Sequence, residues 1–404
     1  MDYAGWNARK TRLQGAGVKD AGKVAGRASK PRKAPLASVE NRGAVARSLL
    51  VWYGRARRDL PWRQSQDPYR VWVSEIMLQQ TQVERVKDFY RRFLERFPNI
   101  DALAVADEHD VLRLWEGLGY YRRARQLHAA AKQIVAEHGG DFPRTAVGLR
   151  MLPGIGRYTA GAISSIAMDL CEPIVEANSR RVLARLVGYT APLDGPGGDE
   201  PIWEIATTLL PRRHAGRFNQ ALMDLGAMVC TPERPLCTAC PVAAHCHAHR
   251  TGRTATIPAK ARRRAVKQIH ETAVVVQRAG RVLVVQRGPG EWWEGLWDLP
   301  RLPCAARAAQ RAISESAGLG SLDCGPIDRV DTISHSVTHH RITLDVVACD
   351  AGSAGRAARG RRWVTVAALK TLAMTAPGRR IARLIERSSP TGRQSGKRPW
   401  KQSC

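Results

Sequence analysis

The chain has 404 residues, of which 44% are hydrophobic, and this length predicts two or three domains rather than one core. Its formal net charge of +28, from 64 basic and 36 acidic residues, indicates a polyanionic partner such as DNA or RNA. The alternative is an arginine content that follows genomic base composition. No apolar run is long enough to cross a membrane, so we expect no membrane contact.

The N-terminal two thirds of the chain show a helical pattern after a polar start. Residues 1–40 are rich in Gly, Ala, Lys and Arg without an apolar period, and they predict a disordered basic arm. Residues 41–229 have helical periodicity interrupted by Pro and Gly, which predicts an all-helical domain. A loop with four cysteines, residues 230–249, closes this domain.

The pattern changes in the C-terminal part of the chain. Residues 250–267 are basic without hydrophobic spacing and predict a linker. Residues 268–388 contain short β-branched runs, which predict strands in an α+β domain. These runs are HETAVVVQ, RVLVVQR, RITLDVVAC and RRWVTVA. Residues 389–404 predict a disordered tail.

Glu75 is the first candidate for chemistry because it lies in the otherwise apolar segment WVSEIMLQ. Burial there would raise the pKa of its carboxyl group and keep a proton available for transfer. The alternative is a solvated helix face, which is where glutamates usually lie.

The segment LPGIGRYTAGAI contains a Gly-x-Gly corner that precedes a helix. Gly154 and Gly156 would allow backbone N–H groups to approach a phosphate, and the N-terminus of the next helix would add positive potential. Most such corners only connect helices, so the segment gains meaning from the cysteine loop that follows in the same chain.

Cys230, Cys237, Cys240 and Cys246 have the spacing C-x6-C-x2-C-x5-C. Four thiolates this close in sequence can bind one metal centre, and one [4Fe-4S] cluster is the expected cofactor. Structural zinc is the competitor, although zinc sites usually pair their cysteines in two tight knuckles. Disulfides are the other alternative; the absence of a signal peptide and the scattered remaining cysteines favour a reducing, cytoplasmic location.

Together these motifs resemble the helix-hairpin-helix DNA glycosylases that carry an iron–sulfur cluster, and among them the MutY-type adenine DNA glycosylases. The resemblance covers roughly residues 45–388. The matching segments are LPWRQSQDPYRVWVSEIMLQQTQV (60–83), LWEGLGYYRRARQLH (114–128), LPGIGRYTAGAI, FNQALMDLGAMVC (218–230) and GLWDLP (295–300).

Release of adenine from its sugar requires an acid that protonates the base and a negative group that supports the cationic sugar, so two carboxylates should face one pocket. The resemblance implies that Glu75 is the general acid at adenine N7 and that Arg63 helps to hold the base. It also implies that Asn178 orders water and the second carboxylate.

The second carboxylate departs from the family. Where the relatives carry Asp-Gly-Asn, this chain carries Glu176, Ala177 and Asn178. One more methylene displaces the carboxylate by about 1.5 Å, and errors of about 1 Å can lower rates about 100-fold. The sequence therefore leaves two readings open: an active glycosylase, or a mismatch-binding protein with weakened catalysis.

Tyr158 occupies the position of the lysine that bifunctional relatives use for strand cleavage, so the resemblance implies a monofunctional enzyme. Tyr158 would then hydrogen-bond to the catalytic carboxylate; a packed helix tyrosine is the alternative. Base extrusion needs side chains that fill the gap. By resemblance Gln80 and Tyr120 intercalate and Thr81 contacts the opposing base.

The C-terminal domain resembles the Nudix-like domain by which these enzymes recognise 8-oxoguanine. By resemblance Thr338 and His339 contact the lesion, while Val337 replaces an aromatic residue. Ala312 and Ser316 stand where two magnesium-binding glutamates are expected, so we expect no nucleotide hydrolysis by this domain.

The sequence thus predicts a monomeric, nucleoid-associated adenine DNA glycosylase. Its predicted partner is double-stranded DNA with an adenine opposite 8-oxoguanine or guanine.

Overall fold

The computed structural model describes residues 41–193, 198–259, 265–316, 319, 322–353 and 360–388. The predicted basic arm and C-terminal tail therefore lie outside the described residues. By its contacts the chain divides into two compact units. The described residues of the helical unit are those up to 259 together with 290–296, and the sheet unit contains the others.

The helical unit consists of helices joined by short loops, as its apolar periodicity predicts. Within the described residues its α-helices are α1 (Arg42–Ala56), α2 (Pro68–Leu78), α3 (Val83–Arg96), α4 (Ile100–Ala104), α5 (Glu108–Leu114), α6 (Arg122–His138), α7 (Ala146–Arg150), α8 (Arg157–Ala162), α9 (Ala177–Val187), α10 (Glu200–Leu209), α11 (Ala215–Met228) and α12 (His247–Arg250).

Local sequence signals set several of these boundaries. Asp67 caps α2 by accepting from the Tyr69 N–H, and Thr145 caps α7 by accepting from the Gly148 N–H. The helix α9 ends at Gly188, whose φ of 74° is a left-handed conformation that favours glycine. A π-helical turn, Ile163–Ala167, continues α8.

One core of the helical unit lies between α1, α9, α10 and α11, with Leu49, Leu183, Ile202 and Phe218 almost fully buried. Ile257 joins this core at 1% exposure, although it lies in the segment predicted to be a linker. This part of the segment therefore packs on the helical unit through one apolar side chain. None of the described helices combines the length and apolar character needed to span a membrane.

The sheet unit is built on a mixed sheet. Its described strands are β1 (Lys267–Arg278), β2 (Arg281–Gln286), β3 (Trp297–Asp298), β4 (Arg301–Leu302), β5 (Asp328–Val337), β6 (His340–Asp350) and β7 (Arg361–Thr365). The order is β3-β2-β1-β6-β5, β4 also pairs with β1, and β7 pairs with β2. β1 and β6 run parallel, with Val274 opposite Val347, and the other pairs are antiparallel.

Each face of this sheet is covered by a helix because β1 and β6 carry apolar residues on both sides. On one face Val275 and Leu344 pack with Ile381 of α14 (Ala376–Ser388). On the other face Val274 packs with Ile313 of α13 (Ala309–Glu315). The four predicted strands are confirmed. The two-residue strands β3 and β4 and the strand β5, which has few apolar residues, were missed.

Candidate active site and cysteine loop

Glu75 projects from α2 into a cavity of the helical unit. Arg63 supplies a positive group to the same cavity, and Trp62, Ile166 and Met223 contribute apolar walls. Glu75 is only 3% exposed, so the alternative of a solvated helix face does not apply.

The surroundings of Glu75 favour its protonated form. The pKa of its carboxyl group is raised to about 7, chiefly by burial. A hydrogen bond donated by the Tyr158 hydroxyl to Oε2 and the charge of Arg63 act to lower this pKa, and the charge of Glu176 acts to raise it. A carboxyl group with a pKa near neutrality can hold a proton at a pH at which an ordinary glutamate is ionised.

Glu176 is the N-cap of α9 and folds its carboxylate back onto the start of that helix. Its two oxygens accept hydrogen bonds from the backbone N–H groups of Asn178, at 2.8 Å, and Ser179, at 2.7 Å. The Ser179 hydroxyl accepts from the Glu176 N–H at 2.8 Å, which completes a capping box. Glu176 is not among the described residues that line the cavity, but its charge raises the pKa of both Glu75 and Tyr158.

A hydrogen bond from Arg181 orients the Asn178 side chain. Arg181 donates to Asn178 Oδ1 at 2.9 Å and to the carbonyl oxygens of Gly226 and Cys230, each at 2.8 Å. A Cβ on Gly226 would lie 2.6 Å from the Asn178 Cβ, so only glycine allows α11 to approach α9 this closely.

Asp224 of α11 positions Arg63, and sequence reasoning missed it. Arg63 donates to the two Asp224 oxygens at 2.6 and 2.9 Å, and Arg58 donates to the same carboxylate at 2.7 Å. Burial acts to raise the pKa of the Asp224 carboxyl group, but the two guanidinium groups outweigh it and hold the pKa below its usual value. No local sequence signal identifies this partner, which lies 161 residues from Arg63.

The Gly-x-Gly corner joins α7 to α8. Gly154 has a φ of 75°, and a Cβ there would lie 2.7 Å from the Gln126 Cβ, so this position requires glycine. Gly156 has an ordinary φ of −85° and is the N-cap of α8. Gly156 is exposed, and a Cβ at this position would meet no atom within 4 Å, so the space in front of this glycine is open.

Gln80, Thr81 and Tyr120 lie on two loops of the helical unit, after α2 and before α6. Gln80 has a φ of 56° and Tyr120 a φ of 48°, conformations that are uncommon outside glycine and cluster at functional sites. Gln80 is exposed, and Tyr120 is 49% exposed.

The four cysteines of the loop surround a cavity of about 300 Å³ with Arg185 at its edge. Within the described residues no three His, Cys, Asp or Glu side chains are placed to hold one metal ion. Four cysteines that line one cavity without converging on a single ion position fit a multi-atom cluster better than one zinc ion, because zinc requires its ligands within about 2.3 Å of a common centre. Arg185 donates to Cys230 Sγ at 3.4 Å and to the Thr231 carbonyl at 2.6 Å.

In the sheet unit, Thr338 and His339 form the two-residue turn between β5 and β6. Thr338 is exposed with a φ of 52°, and its hydroxyl lies 3.4 Å from His339 Nδ1. In α13, Glu315 pairs with Arg311, and the described residues contain no acidic cluster for a metal ion.

Comparisons with known proteins agree with this division of the chain. The family described as "HhH-GPD superfamily base excision DNA repair protein" matches residues 73–195, and the NUDIX domain family matches residues 272–384.

Two adenine DNA glycosylases are similar to this chain over long segments. The protein of Mus musculus is 35% identical over 416 residues, which cover 88% of this chain and 80% of the mouse protein. The protein of Mycolicibacterium smegmatis is 44% identical over 199 residues, covering 49% of this chain and 67% of its own length. A solved thermostable thymine-DNA glycosylase is 29% identical, with a TM-score of 0.48, and covers 52% of this chain and 97% of its own length.

Proposed function

The chain belongs to the adenine DNA glycosylase family, and from this premise we propose that Glu75 and Glu176 carry out its chemistry. It is a base excision repair enzyme that hydrolyses the bond between adenine and deoxyribose. The prediction of a helix-hairpin-helix glycosylase domain followed by a Nudix-like domain is confirmed. The observation that carries the proposed roles is the buried, near-neutral carboxyl group of Glu75 beside the charge of Glu176.

Glu75 acts as the general acid. Adenine is a poor leaving group, and a proton delivered to N7 turns it into a neutral one. The burial that raises the pKa of Glu75 keeps that proton available near pH 7, and the Tyr158 hydroxyl fixes the orientation of the carboxyl group. Arg63, held by Asp224, donates to the base from the same cavity.

Glu176 supports the positive charge that develops on the sugar as adenine leaves. The two backbone N–H groups that bind its carboxylate fix its position, so the extra methylene relative to aspartate is accommodated in the capping box. Asn178, oriented by Arg181, orders the attacking water beside it. Tyr158 offers no amine for a Schiff base, so the product is an intact strand with an abasic site.

The substrate is double-stranded DNA with adenine opposite 8-oxoguanine or guanine. The hairpin that contains Gly154 and Gly156 holds the DNA backbone, and Gln80 and Tyr120 enter the stack while Thr81 contacts the opposing base. In the sheet unit, Thr338 and His339 supply hydrogen bonds to the lesion. The enzyme acts as a monomer on this DNA.

The cysteine loop holds one [4Fe-4S] cluster through Cys230, Cys237, Cys240 and Cys246. The four thiols and the cavity between them fit such a group, and Arg185 binds the first turn of the loop to α9. A cluster supplies thiolate–iron bonds that hold this loop together.

Single-turnover kinetics on a duplex with one 8-oxoguanine:adenine pair test the proposal. We expect adenine release by the parent protein and a rate at least about 100-fold lower in Glu75→Gln, because glutamine keeps the shape of the side chain but has no acidic proton. Strand cleavage should appear only after treatment with alkali. An inert parent together with an active Glu176→Asp would instead establish a lesion-binding protein with weakened catalysis.

A further inference from the structure

Arg123 of α6 is a buried arginine, 8% exposed, that contacts the C-terminal end of α2. Its Nη1 donates to the carbonyl oxygens of Ile76 at 2.6 Å, Met77 at 3.1 Å and Gln79 at 2.6 Å. The last carbonyl groups of a helix lack partners within the helix and carry partial negative charge. One guanidinium group therefore caps the helix that carries Glu75, while Nη2 donates to Thr81 Oγ1 at 3.3 Å.

The same guanidinium group also reaches the second loop. Its Nη2 donates to the carbonyl oxygens of Leu118, at 3.3 Å, and Gly119, at 3.2 Å. It lies 5.7 Å from the ring centroid of Tyr120 and 5.5 Å from that of Trp115. Trp115 Nε1 donates to the same Gly119 carbonyl at 3.2 Å.

Arg123 has no ion-pair partner within the described residues, which sets it apart from a buried arginine in a salt bridge. Burial accordingly lowers the pKa of its guanidinium group to about 10. A buried charge is costly unless its donors are satisfied, and here backbone carbonyl oxygens and the Thr81 hydroxyl accept from Nη1 and Nη2, while Nε has no partner among the described residues. Neutral partners from two separate loops indicate a group whose role is to hold backbone in place.

The two loops that Arg123 joins need such support, because Gln80 and Tyr120 both have positive φ angles. Positive φ in residues other than glycine persists only where the surrounding structure enforces it. The guanidinium group binds the residue before Gln80 and the residue before Tyr120.

We propose that Arg123 is a positioning residue that fixes the two loops bearing Gln80 and Tyr120 at the spacing needed to enter the DNA stack. This inference rests on the proposed function, since it assigns the arginine to the base-extrusion step of that reaction. Arg123 touches neither adenine nor the reacting sugar; it acts through the two loops. Replacement by lysine keeps the charge but loses the planar fork that reaches both loops.

The test is Arg123→Lys with two duplexes that contain the same 8-oxoguanine:adenine pair. One duplex is otherwise fully paired, and the other has mismatches on both sides of the adenine, so that extrusion costs less. We expect the single-turnover rate to fall about 100-fold on the first duplex and less than about threefold on the second. Arg122→Lys, the same change at the exposed neighbouring position, is the matched control and should leave both rates unchanged.

Hydrogen exchange of the full-length protein gives a readout that does not depend on activity. In Arg123→Lys we expect faster exchange in residues 76–81 and 117–121 and no change in the sheet unit. Trp115→Phe removes one N–H donor to the Gly119 carbonyl and keeps an aromatic side chain. It should show the same pattern of hydrogen exchange and a loss of about tenfold in the single-turnover rate on the fully paired duplex. It serves as the second variant should Arg123→Lys fail to fold.

Equal rate losses on both duplexes, or unchanged exchange in the two loops, would overturn the positioning role. A parent protein that releases adenine from neither duplex would overturn the proposed function instead. The exchange experiment would still decide whether Arg123 holds the loops.

Discussion

The hydrogen bond from Tyr158 to Glu75 makes the pH dependence of adenine release a direct test of the general acid. The carboxyl group must be protonated to act, and its pKa is about 7. Below pH 7 most molecules carry the proton, and above pH 7 the single-turnover rate should fall about tenfold per pH unit.

Tyr158→Phe removes the hydroxyl donor and keeps the ring. That donor stabilises the carboxylate, so its loss raises the pKa of Glu75 and moves the falling limb of the profile to higher pH. A hydrogen bond to a charged group contributes about 1.5–3 kcal/mol, and one pKa unit corresponds to about 1.4 kcal/mol. The limb should therefore move upward by about one to two pH units.

The assay is adenine release under single-turnover conditions across about five pH units centred on neutrality, the range in which such a limb is visible. Tyr90→Phe is the control, because Tyr90 is buried and, among the described residues, its hydroxyl donates to the Arg70 carbonyl alone, at 3.4 Å. Its profile should match that of the parent. A limb that stays in place or moves downward in Tyr158→Phe would refute the assignment of Glu75 as the acid.

Three further outcomes follow from the contacts of the site. Asp224→Asn should lower the rate about tenfold or more and reduce the free energy of unfolding by about 3 kcal/mol in urea titrations, because Arg63 and Arg58 lose their shared carboxylate. An unchanged stability would contradict the pairing. Glu176→Gln should lower the rate about 100-fold or more with little change in Tm, and Glu176→Asp should retain activity. Purified protein should be brown with about four iron atoms per chain, and Cys240→Ser should reduce both colour and Tm; colourless, zinc-bound protein would overturn the cluster.

Short-range patterns carried most of the fold prediction. Apolar residues at helical spacing located the helical unit. β-branched runs located β1, β2 and β6 because strands buried on both faces are continuously apolar, and the run RRWVTVA located β7, in which only Val364 is buried. The strand β5 was not predicted because only one of its ten residues, Ile333, is buried. Its place in the sheet comes from pairing with β6 rather than from its own composition.

The site was predictable to the extent that its residues lie in recognisable segments. The apolar neighbours of Glu75 left burial and a solvated helix face as alternatives, and the structure has Glu75 3% exposed. Asp224 and Arg123 were not predicted, since Asp224 binds Arg58, which lies 166 positions away, and Arg123 reaches Thr81, which lies 42 positions away. In a chain rich in arginine, the sequence around Arg123 does not indicate that its guanidinium group donates to carbonyl oxygens.

The capping box at the start of α9 has a consequence for mutational surveys of this enzyme. Because serine, threonine, asparagine and aspartate all cap helices well, a screen that scores only protein abundance would accept any of them at Glu176. A screen that scores repair would accept only the acidic residues. Position 176 should therefore separate the two kinds of selection more sharply than a core position such as Leu183, where folding and activity decline together.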